Sequence, residues 1–466
     1  MTHHRGSLKE KNTVEANLME NIVIIGGNAA GMTAASRARR LDPRIKITVL
    51  EKGPTISYST CGIPYLLSGL VPSDNLITFT PEKLKHERNI DAHVHVRVDQ
   101  IQVSRRRVLA TRLDTGEETS FGFDRLLIAT GVQPSLPDIP GTDLEHVFPV
   151  TTLEGALKIK KALRSAERIG IVGGGYVGLE LAESLRTAGK NIILFEQQPH
   201  VLSATDPDMA RIIEYELLRH GVVLRTASKV QALVGSQGRV TGIKALGNLG
   251  IQPVDLVLLD TGVSPNTDLA EEVGIKTGTT GGITVDEYLE TNIPSIFAAG
   301  NCAETYCQLR ERPVLHHLGT VAAKQGRVAG ENLVRKRSKY GGSIGTTILK
   351  VFELGVGMTG LNSVESTKAG FAFAAARVET YDRASYYPGT RKIWIKLIAD
   401  RNSRKLIGAQ AAGYGDVSKR IDIAATAITA GMKIDEVSGI DLGYSPPYGS
   451  LWDPLHVAAQ ALIRQL

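Results

Sequence analysis

One cysteine stands among small, turn-forming residues in the stretch Ser57-Tyr-Ser-Thr-Cys-Gly-Ile-Pro-Tyr65. The stretch follows the apolar run Lys46–Leu50, which predicts a buried strand that ends at an acid, Glu51. Backbone N–H groups and the dipole at the start of a helix favour a thiolate, the reactive form of cysteine. We therefore predict that Cys61 is a redox centre. A buried structural cysteine is the alternative, because free cysteines are among the most buried residues.

The chain has three cysteines, and the other two, Cys302 and Cys307, are far from Cys61 in sequence. Their spacing from the histidines does not resemble a zinc site, and we predict no metal. If Cys61 forms a disulfide, its natural partner is a small-molecule thiol. So few cysteines also argue against a disulfide scaffold and fit the reducing cytoplasm.

Two glycine-rich turns follow strand-like runs. Asn21–Ile25 leads into Gly26-Gly-Asn-Ala-Ala-Gly31, a helical pattern and the strand that ends at Glu51. Arg168–Val172 leads into Gly173-Gly-Gly-Tyr-Val-Gly178, helix Leu179–Ala188, and strand Asn191–Phe195 that ends at Glu196. Glycines let a pyrophosphate approach the helix N-terminus, and the acid can accept a hydrogen bond from a ribose hydroxyl.

The repetition extends to later strands, because Phe123–Gly131 matches Val254–Gly262 in pattern. Asn28 takes the place of the glycine that usually stands at the third position of the first turn, so that turn alone is an imperfect signal. Two complete strand–turn–helix–strand–acid units in one chain are too similar to be explained by chance. The sequence therefore predicts two dinucleotide-binding sites.

Composition narrows the class of protein. A chain of 466 residues with 42% apolar residues and 48 glycines predicts two or three packed domains. Residues 1–20 lack the apolar core of a signal peptide and read as a flexible leader, and no apolar run is long enough to span a membrane. The net charge of +6 favours anionic ligands, but basic clusters such as Arg105–Arg107 lack the interleaved aromatics of nucleic-acid binders.

Three further motifs carry a family resemblance: Ser57-x3-Cys61-Gly-x-Pro64-Tyr65, Ala384-Ser-Tyr386-Tyr-Pro-Gly389 and Gly443-Tyr444-Ser-Pro-Pro-Tyr448. Together with the two glycine turns, they make the chain resemble flavin-dependent coenzyme A-disulfide reductases over nearly all of residues 21–466. That group lies within the single-cysteine pyridine nucleotide-disulfide oxidoreductases, with NADH oxidases, peroxidases and persulfide reductases. Leu66 stands where dithiol relatives carry a second cysteine.

The resemblance implies an α/β protein with two Rossmann-like domains and a C-terminal α+β dimerisation domain. FAD would bind residues 21–150 and 276–340, NAD(P)H would bind residues 151–275, and residues 341–466 would form a homodimer interface. In the last region, strands are predicted at Thr347–Phe352, Ala374–Thr380 and Lys392–Ile398. A helix is predicted at Asp422–Ala430.

The resemblance also implies which residues bind the cofactors, and Asn301 stands where the family has an Asp that closes the FAD site over the ribityl chain. Asn keeps an acceptor oxygen there but loses the charge. Tyr176 matches the residue that covers the flavin, and Glu180 is a weaker candidate to hold that arrangement. The cofactor-binding residues are predicted to be Gly26, Ala29, Ala30, Gly31, Glu51, Lys52, Thr60, Val98, Thr130, Gly131, Gly173, Gly175, Tyr176, Val177, Gly178, Glu180, Glu196, Gly262, Gly300, Asn301, Gly319 and Thr320.

Coenzyme A contacts carry over to Thr33, Arg37, Arg40, Ser57, Thr60 and Arg88. The resemblance assigns to Tyr386 and Tyr444, from the neighbouring subunit, the task of protonating the leaving thiolate, because a phenol and an alkyl thiol have comparable pKa values. Ala323 replaces a substrate-site histidine of the family, which weakens the coenzyme A assignment.

The expected reaction is the reduction by NAD(P)H, through FAD and a Cys61 mixed disulfide, of coenzyme A disulfide or a related disulfide or persulfide. NADH is expected to be preferred, because Glu196 would repel a 2′-phosphate and Gln197–His200 supplies no Arg or Lys. Two alternatives stay open. One is an NADH oxidase that reduces oxygen or peroxide, with Cys61 cycling through sulfenic acid. The other is a non-catalytic, NADH-responsive flavoprotein.

Overall fold

The computed structural model describes residues 20–247 and 250–466, so the predicted leader lies outside the described residues except for Glu20. The first part of the chain builds a parallel sheet and a smaller antiparallel one. Its elements are β1 (Asn21–Ile25), α1 (Ala29–Leu41), β2 (Lys46–Leu50), α2 (Ile63–Ser68), α3 (Pro81–Arg88), β3 (Asp91–His93), β4 (Val96–Gln102), β5 (Arg107–Arg112), β6 (Glu118–Gly122), β7 (Arg125–Ile128) and β8 (Val132–Pro134).

The next part builds a second parallel sheet with its own antiparallel companion. Its elements are β9 (Val147–Pro149), α4 (Leu153–Ala162), β10 (Arg168–Val172), α5 (Tyr176–Thr187), β11 (Asn191–Phe195), α6 (Pro207–Arg219), β12 (Val223–Arg225), β13 (Val230–Ser236), β14 (Arg239–Ala245), β15 (Ile251–Pro253), β16 (Leu256–Leu259), β17 (Val263–Pro265) and α7 (Asp268–Glu271). β9 pairs with β16, so residues 147–149 belong to the second sheet and not, as predicted, to the first.

The chain then returns to the first sheet through β18 (Ile296–Ala298), the hairpin β19 (Thr305–Cys307) and β20 (Arg312–Val314), and α8 (Gly319–Asn332). The first sheet has the order β18-β7-β1-β2-β3, and the second has the order β12-β11-β10-β16-β9. In both sheets the strand before the glycine turn lies between the strand that ends in the acid and the later strand of the repeat. The two predicted dinucleotide folds are therefore present, one inserted into the other.

Helix α8 packs closely on α1 because two of its glycines face the backbone of α1. A Cβ atom on Gly326 would lie 2.3 Å from the carbonyl oxygen of Ala30, and one on Gly330 would lie 2.5 Å from that of Ala34. Any side chain at these glycines would push the helices apart. This close approach fixes the returning segment against the first glycine turn.

The C-terminal part is an antiparallel sheet with the order β21-β22-β25-β24-β23, packed on one face by helices. Its elements are β21 (Thr347–Val351), β22 (Leu354–Gly360), α9 (Ser363–Lys368), β23 (Phe373–Tyr381), β24 (Lys392–Asp400), β25 (Leu406–Gly413), α10 (Val417–Thr429), α11 (Ile434–Val437) and α12 (Pro454–Ile463). The three predicted strands and the predicted helix are present, and β22, β25 and α12 were not foreseen. The other face of the sheet contacts α5 and α6.

Candidate active site

The first glycine turn is shaped by close backbone contacts. Gly26 has φ of 107°, and a Cβ atom there would lie 2.2 Å from the carbonyl oxygen of Ala129. The carboxylate of Glu51 folds back on the turn and accepts hydrogen bonds from the N–H groups of Gly27 at 2.9 Å and Gly53 at 2.8 Å. The acid predicted for the ribose is therefore held at the turn before any ligand binds.

The second turn repeats this arrangement. Gly173 has φ of 114°, and a Cβ atom there would lie 2.0 Å from the carbonyl oxygen of Asp260. Glu196 accepts from the N–H groups of Gly174 at 2.8 Å and Gln198 at 2.7 Å. The same chemistry at both turns explains why the sequence repeat extends from the glycines to the acids.

The third residue of each glycine turn, Asn28 or Gly175, stands where a side chain is tolerated. Asn28 has φ of −112° and Gly175 has φ of −79°, so neither position needs the left-handed backbone that favours glycine. Asn28 therefore does not disrupt the first turn. Neither residue caps its helix through a side chain, which leaves the helix N-termini to a ligand. The predicted residues Ala29 and Ala30 open α1, and Tyr176, Val177 and Gly178 open α5.

Asn301 provides a direct test of whether FAD fits the first turn. Its Oδ1 atom is buried and has no hydrogen-bond partner among residues 20–247 and 250–466. The preceding residue, Gly300, has φ of 86°, and a Cβ atom on it would lie 2.8 Å from the Cβ of Ala30. A buried acceptor without a partner next to the start of α1 fits a hydroxyl donor such as the ribityl chain. The residues present therefore fit FAD.

Most other predicted flavin residues lie at loop ends near these turns. Thr130 and Gly131 bond to Asn266, with Thr130 Oγ1 donating to its carbonyl oxygen at 2.7 Å. Gly262 has φ of 96°, Lys52 and Thr60 are exposed, and Gly319 and Thr320 open α8 on an exposed face. Val98 differs, because its side chain is buried in the hydrophobic core. It can reach a cofactor only through its backbone.

Cys61 lies in the short 3-10 helix Thr60–Gly62, directly before α2, and its side chain is exposed. The alternative of a buried structural cysteine is wrong for this thiol, whereas Cys302 and Cys307 are buried. Helix α2 packs on α4 and α5, so the cysteine turn is held against the second dinucleotide fold.

A cluster of carboxyl groups is formed by Glu180 and Glu183 on α5 and by Asp260 directly after β16. Burial, with the charges of Glu183 and Asp260, raises the pKa of Glu180 to about 7. Burial also raises the pKa of Asp260 to about 6, although its Oδ2 accepts from the Gly178 N–H at 2.8 Å. Burial, followed by the charges of Glu180 and Glu183, raises the pKa of Tyr65. A carboxyl group with a pKa near neutrality therefore lies close to Tyr65, in the helix that follows Cys61.

Tyr176 contacts the C-terminal sheet of its own chain. Its hydroxyl lies 3.4 Å from the sulfur of Met358, and burial raises its pKa. This contact was not foreseen from the sequence. It ties the residue predicted to cover the flavin to the domain that carries the candidate proton donors.

Tyr386 and Tyr444 are brought together although they are far apart in sequence. Their hydroxyl oxygens lie 3.4 Å apart, and the side chains are exposed, with 73% and 43% of their surface accessible. The hydrogen bond with Tyr386, followed by burial, raises the pKa of Tyr444. The Tyr444 phenol therefore stays protonated at neutral pH, as a proton donor must.

A buried arginine that the sequence analysis missed holds the two tyrosine loops together. Arg420 is 1% exposed and donates to Asp453 Oδ2 at 2.8 Å, at the end of the Tyr444 loop. It also donates to the Asp382 carbonyl at 2.9 Å, at the start of the Tyr386 loop. A lone arginine in a helix gives no sequence signal of this kind, because its partners lie in other elements.

The comparison with known proteins settles the family. Residues 20–326 match the model described as pyridine nucleotide-disulphide oxidoreductase, and residues 346–453 match the dimerisation domain of the same family. The chain belongs to the pyridine nucleotide-disulphide oxidoreductase family. It is therefore an enzyme that uses a pyridine nucleotide, and the alternative of a non-catalytic flavoprotein is not supported.

Three relatives illustrate the range of this family. The NAD(P)H sulfur oxidoreductase (CoA-dependent) of Pyrococcus furiosus is 37% identical over 446 residues, which cover 95% of this chain and 99% of the relative. The structure of a NAD-dependent persulfide reductase from A. fulgidus is 39% identical with a TM-score of 0.93, over 96% of this chain and 83% of that chain. An NADH oxidase of Methanocaldococcus jannaschii is 34% identical over 95% of this chain and 99% of the relative. Coenzyme A disulfide reductases are also homologous, at 26–27% identity.

The predicted coenzyme A contacts of this family member fall into two groups. Thr33, Arg37 and Arg40 lie along α1, and Ser57, with φ of 55°, precedes the cysteine turn. Arg37 is already paired with Glu331, through Nε at 2.8 Å and through a second guanidinium nitrogen. The positive charge of Arg37 is thus largely neutralised by Glu331.

The other basic residues of this region are held differently. Arg88 donates to Ser36 Oγ at 2.6 Å and lies over the ring of Phe79, 4.2 Å from its centre. Arg40 is exposed and forms no ion pair with any described residue. Among the described residues, Arg40 therefore has neither an ion pair nor a side-chain hydrogen bond, whereas Arg88 has no ion pair but is held by Ser36 and Phe79.

The strand next to Glu196 carries a cation that sequence neighbours did not reveal. Arg225 ends β12, and its carbonyl oxygen accepts from the Glu196 N–H at 2.8 Å. Its Nε atom is buried without a hydrogen-bond partner in the part of the chain that the structure describes. The prediction of NADH preference considered only Gln197–His200 and therefore did not include Arg225.

No helix among the described residues is both long enough and apolar enough to cross a membrane.

Proposed function

We propose that this enzyme reduces coenzyme A disulfide, or a related low-molecular-weight disulfide or persulfide, with electrons from NAD(P)H. The observation that carries the proposal is the pair of exposed tyrosine hydroxyls, Tyr386 and Tyr444, 3.4 Å apart. Two phenols held together and open to a second surface suit the protonation of a thiolate. The exposed thiol of Cys61 and the sulfur-reducing relatives support the same reaction.

The first glycine turn, Glu51, and the loop of Gly300 and Asn301 would hold FAD, within residues 21–146 and 276–340. FAD bound there would supply the two electrons that return a Cys61 mixed disulfide to the thiolate. Residues 147–275 would hold NAD(P)H at the second turn, with Glu196 directed towards the ribose. Residues 341–466 would form the homodimer interface.

Cys61 acts as the nucleophile. Its thiolate attacks one sulfur of the substrate disulfide, a new S–S bond forms, and the old S–S bond breaks. The electron pair of the broken bond leaves on the second sulfur as a thiolate. With a persulfide of coenzyme A, the leaving group is hydrosulfide or the coenzyme A thiolate, depending on which sulfur is attacked.

The tyrosines supply the proton that the leaving thiolate needs. A thiolate leaves faster when it is hydrogen-bonded or protonated, and a phenol has a pKa close enough to share its proton. The pKa of Tyr444 is raised by its hydrogen bond with Tyr386, so Tyr444 begins the step protonated. Both side chains are exposed within one chain, which fits a role at Cys61 of a partner subunit.

Arg40 is the best placed charge for coenzyme A phosphates, since it lies on α1 and is not paired in the described structure. Arg37 would serve mainly by holding Glu331 and shaping α8 against α1. The adenosine phosphate part of coenzyme A therefore relies on fewer arginines than the sequence alone predicts.

Pre-steady-state kinetics with Cys61→Ser tests the proposal. The variant should keep NADH-dependent flavin reduction at the wild-type rate and lose turnover of coenzyme A disulfide. Cys307→Ala is the matched control, because it removes a buried thiol outside the site and should retain turnover. Reduction of coenzyme A disulfide by Cys61→Ser at a near wild-type rate would show that the assignment is wrong.

The second candidate is an NADH oxidase, favoured by the 34% identity to a relative of that name. Oxygen consumption by the holoenzyme separates the two. The disulfide reductase should consume NADH faster with coenzyme A disulfide than with air-saturated buffer by at least about tenfold, a difference of about 1.4 kcal/mol in activation free energy. Equal rates would favour the oxidase.

The preference for NADH is tested at Glu196 and Arg225. Glu196→Ala should raise the kcat/KM ratio of NADPH to NADH, because it removes the charge that repels a 2′-phosphate. Arg225→Ala should lower that ratio if this cation reaches the phosphate, and should leave it unchanged if it does not. A wild-type ratio that favours NADPH would contradict the preference.

A further inference from the structure

A cavity of about 920 Å³ lies between α6 and the C-terminal sheet, away from the glycine turns and the cysteine. Its wall combines the basic side chains Arg211, Arg219 and Arg391 with the aromatic rings of Tyr215, Trp394 and Tyr414. None of these residues belongs to the catalytic or cofactor sites described above. The size is within the range of small-molecule sites.

Much of the charge around the cavity is already neutralised. Asp208 is paired with Lys396, whose Nζ lies 2.8 Å from Oδ1. Arg219 pairs with Glu216 at 2.9 Å and with Glu353 at 3.2 Å. Because of these contacts, the two acidic side chains of the wall, Asp208 and Glu353, are already neutralised. The wall therefore keeps an excess of positive charge.

Two arginines of the wall carry that excess. Arg211 forms no ion pair or hydrogen bond with any residue of the described ranges. Within residues 20–247 and 250–466, the Arg391 side chain donates only to the Tyr414 carbonyl oxygen, at 3.3 Å. Guanidinium groups with free N–H donors that face a cavity are suited to phosphate, which they bind through two parallel hydrogen bonds.

The aromatic side of the cavity is held rigidly. Trp394 Nε1 donates to Glu379 Oε2 at 2.9 Å, and the hydroxyl of Tyr414 donates to Glu216 Oε2 at 2.8 Å. Glu216 is completely buried, so the tyrosine ring cannot swing away without breaking a buried hydrogen bond. The two rings lie 6.3 Å apart at 67°, and the Arg219 guanidinium lies over the Tyr414 ring, 5.5 Å from its centre, so a flat base stacks on Trp394 and meets Tyr414 at its edge. Tyr215, on α6, is largely exposed at the edge.

We propose that this cavity binds an adenine nucleotide with at least two phosphates, at a site separate from the two dinucleotide turns. The base packs on Trp394 and Tyr414, and the phosphates bind Arg211 and Arg391. Aromatic surfaces bind a base through stacking, whereas inorganic anions use only the charges, so the combination selects a nucleotide. The ligand would contact α6 and the C-terminal sheet together and so join the second dinucleotide fold to the dimerisation domain.

A neighbouring group of side chains does not offer a competing metal site. Glu216, His220 and Glu353 have ligand atoms within 4.8 Å of one another. Arg219, however, donates to both carboxylates, and His220 stacks on Phe352 with ring centres 3.9 Å apart. Arg219 thus takes the place that a metal ion would need, because it is bonded to both Glu216 and Glu353. This favours a role for the two carboxylates in supporting the cavity wall.

The test uses the fact that the chain contains two tryptophans, Trp394 and Trp452. In the Trp452→Phe holoenzyme, Trp394 is the only tryptophan and reports directly on the cavity. ADP should change its fluorescence saturably. Arg211→Ala/Arg391→Ala in the same background should weaken ADP binding by at least about tenfold, the loss expected when charge-assisted hydrogen bonds are removed. Arg164→Ala, an exposed and unpaired arginine after α4, is the matched control and should change the affinity less than twofold.

Equilibrium dialysis with labelled ADP gives a second readout that does not depend on fluorescence. The wild-type holoenzyme should bind one more ADP per subunit than the double-arginine variant. Equal stoichiometry and affinity in the two proteins would overturn the proposal. Inorganic phosphate and adenosine should each bind at least about tenfold more weakly than ADP; phosphate that binds as tightly as ADP would show an anion site without base recognition and would also overturn it.

Comparison of ligands identifies the source of the nucleotide. ADP-ribose carries the head group of NADH, and 3′-phosphoadenosine 5′-diphosphate carries that of coenzyme A. Tighter binding of the first would relate the site to the electron donor, and tighter binding of the second to the thiol substrate. Either result supports an adenine nucleotide site, whereas a failure of ADP itself to change the Trp394 fluorescence would overturn it.

Discussion

Replacement of the buried Arg420 should weaken the C-terminal domain and the tyrosine pair together. The guanidinium makes charge-assisted hydrogen bonds to Asp453 at 2.8 Å and 3.3 Å, and it also donates to the carbonyl oxygens of Asp382 and Asp416 at 2.9 Å each. Arg420→Met keeps most of the volume but leaves the Asp453 carboxylate buried and the carbonyl groups without their donor.

The expected loss is about 3 kcal/mol in the free energy of unfolding. Removal of one partner of a buried ion pair costs roughly 3–5 kcal/mol. The lower end applies because Asp453 keeps the Leu455 N–H at 3.0 Å and lies 3.6 Å from Lys419 Nζ. Arg420→Met/Asp453→Asn should recover part of the loss, since it removes the uncompensated charge and keeps the cap of α12.

Urea unfolding in a Trp394→Phe background provides the assay, because Trp452 then reports on the loop next to Asp453. Arg404→Met is the matched control. Arg404 makes two 2.8 Å hydrogen bonds to Asp435, but that pair is exposed to solvent, so its loss should cost much less than the loss of the buried Arg420 pair. The reasoning is refuted if Arg420→Met costs no more than Arg404→Met, or if the double variant is less stable than Arg420→Met.

The Arg420→Met variant also tests whether Arg420 acts by positioning the two tyrosines. Because Arg420 joins the ends of the two tyrosine loops, its loss should slow cleavage of the disulfide. Flavin reduction by NADH should continue at the wild-type rate. A structural defect that spread to the cofactor sites would instead slow both half-reactions.

Three further results are expected. The double variant Tyr386→Phe/Tyr444→Phe should slow disulfide cleavage but not flavin reduction. Heterodimers of this variant with Cys61→Ser subunits should regain about half of the wild-type activity. If verified heterodimers stay inactive, a shared site is excluded. The Tm of the wild-type protein should fall relative to that of Glu180→Gln as the pH rises from about 4.5 to about 7. The pKa of Glu180 is raised in the folded protein, so ionisation of this side chain opposes folding. A difference in Tm that stays constant with pH would contradict the buried acid. Asn301→Asp should bind FAD more tightly or shift its potential, since an ionised acceptor makes the stronger hydrogen bond, and unchanged FAD dissociation and potential would show that the amide serves equally well.

Much of the fold follows from local sequence signals. β1, β10 and β11 begin and end where the apolar runs predicted them, because a buried parallel strand is a continuous apolar segment between turns. The helices after the turns begin earlier than predicted, at Ala29 and Tyr176, since the glycine-rich pattern conceals their first turn.

The site was only partly predictable. Cys61 stands out because a lone thiol among turn residues is rare, and the two tyrosines were found only through family motifs. Arg420, Arg225 and the Tyr176–Met358 contact depend on elements that meet through the sheet order, which no short sequence window records. Asn301 was recognised, but only the structure shows that its oxygen is buried without a partner.

The insertion of one dinucleotide fold into the other constrains the order of folding during synthesis. The first sheet lacks its edge strand β18, and α1 lacks α8, until the ribosome has passed Asn332. At 5–20 residues per second, roughly 10–40 s separate the exit of β7 from the exit of α8. Throughout that interval the apolar face of α1 and one edge of the sheet stay uncovered, whereas the inserted fold has all its strands as soon as β17 has been made. A chaperone that binds nascent chains should therefore protect the N-terminal segment longest, although it is made first.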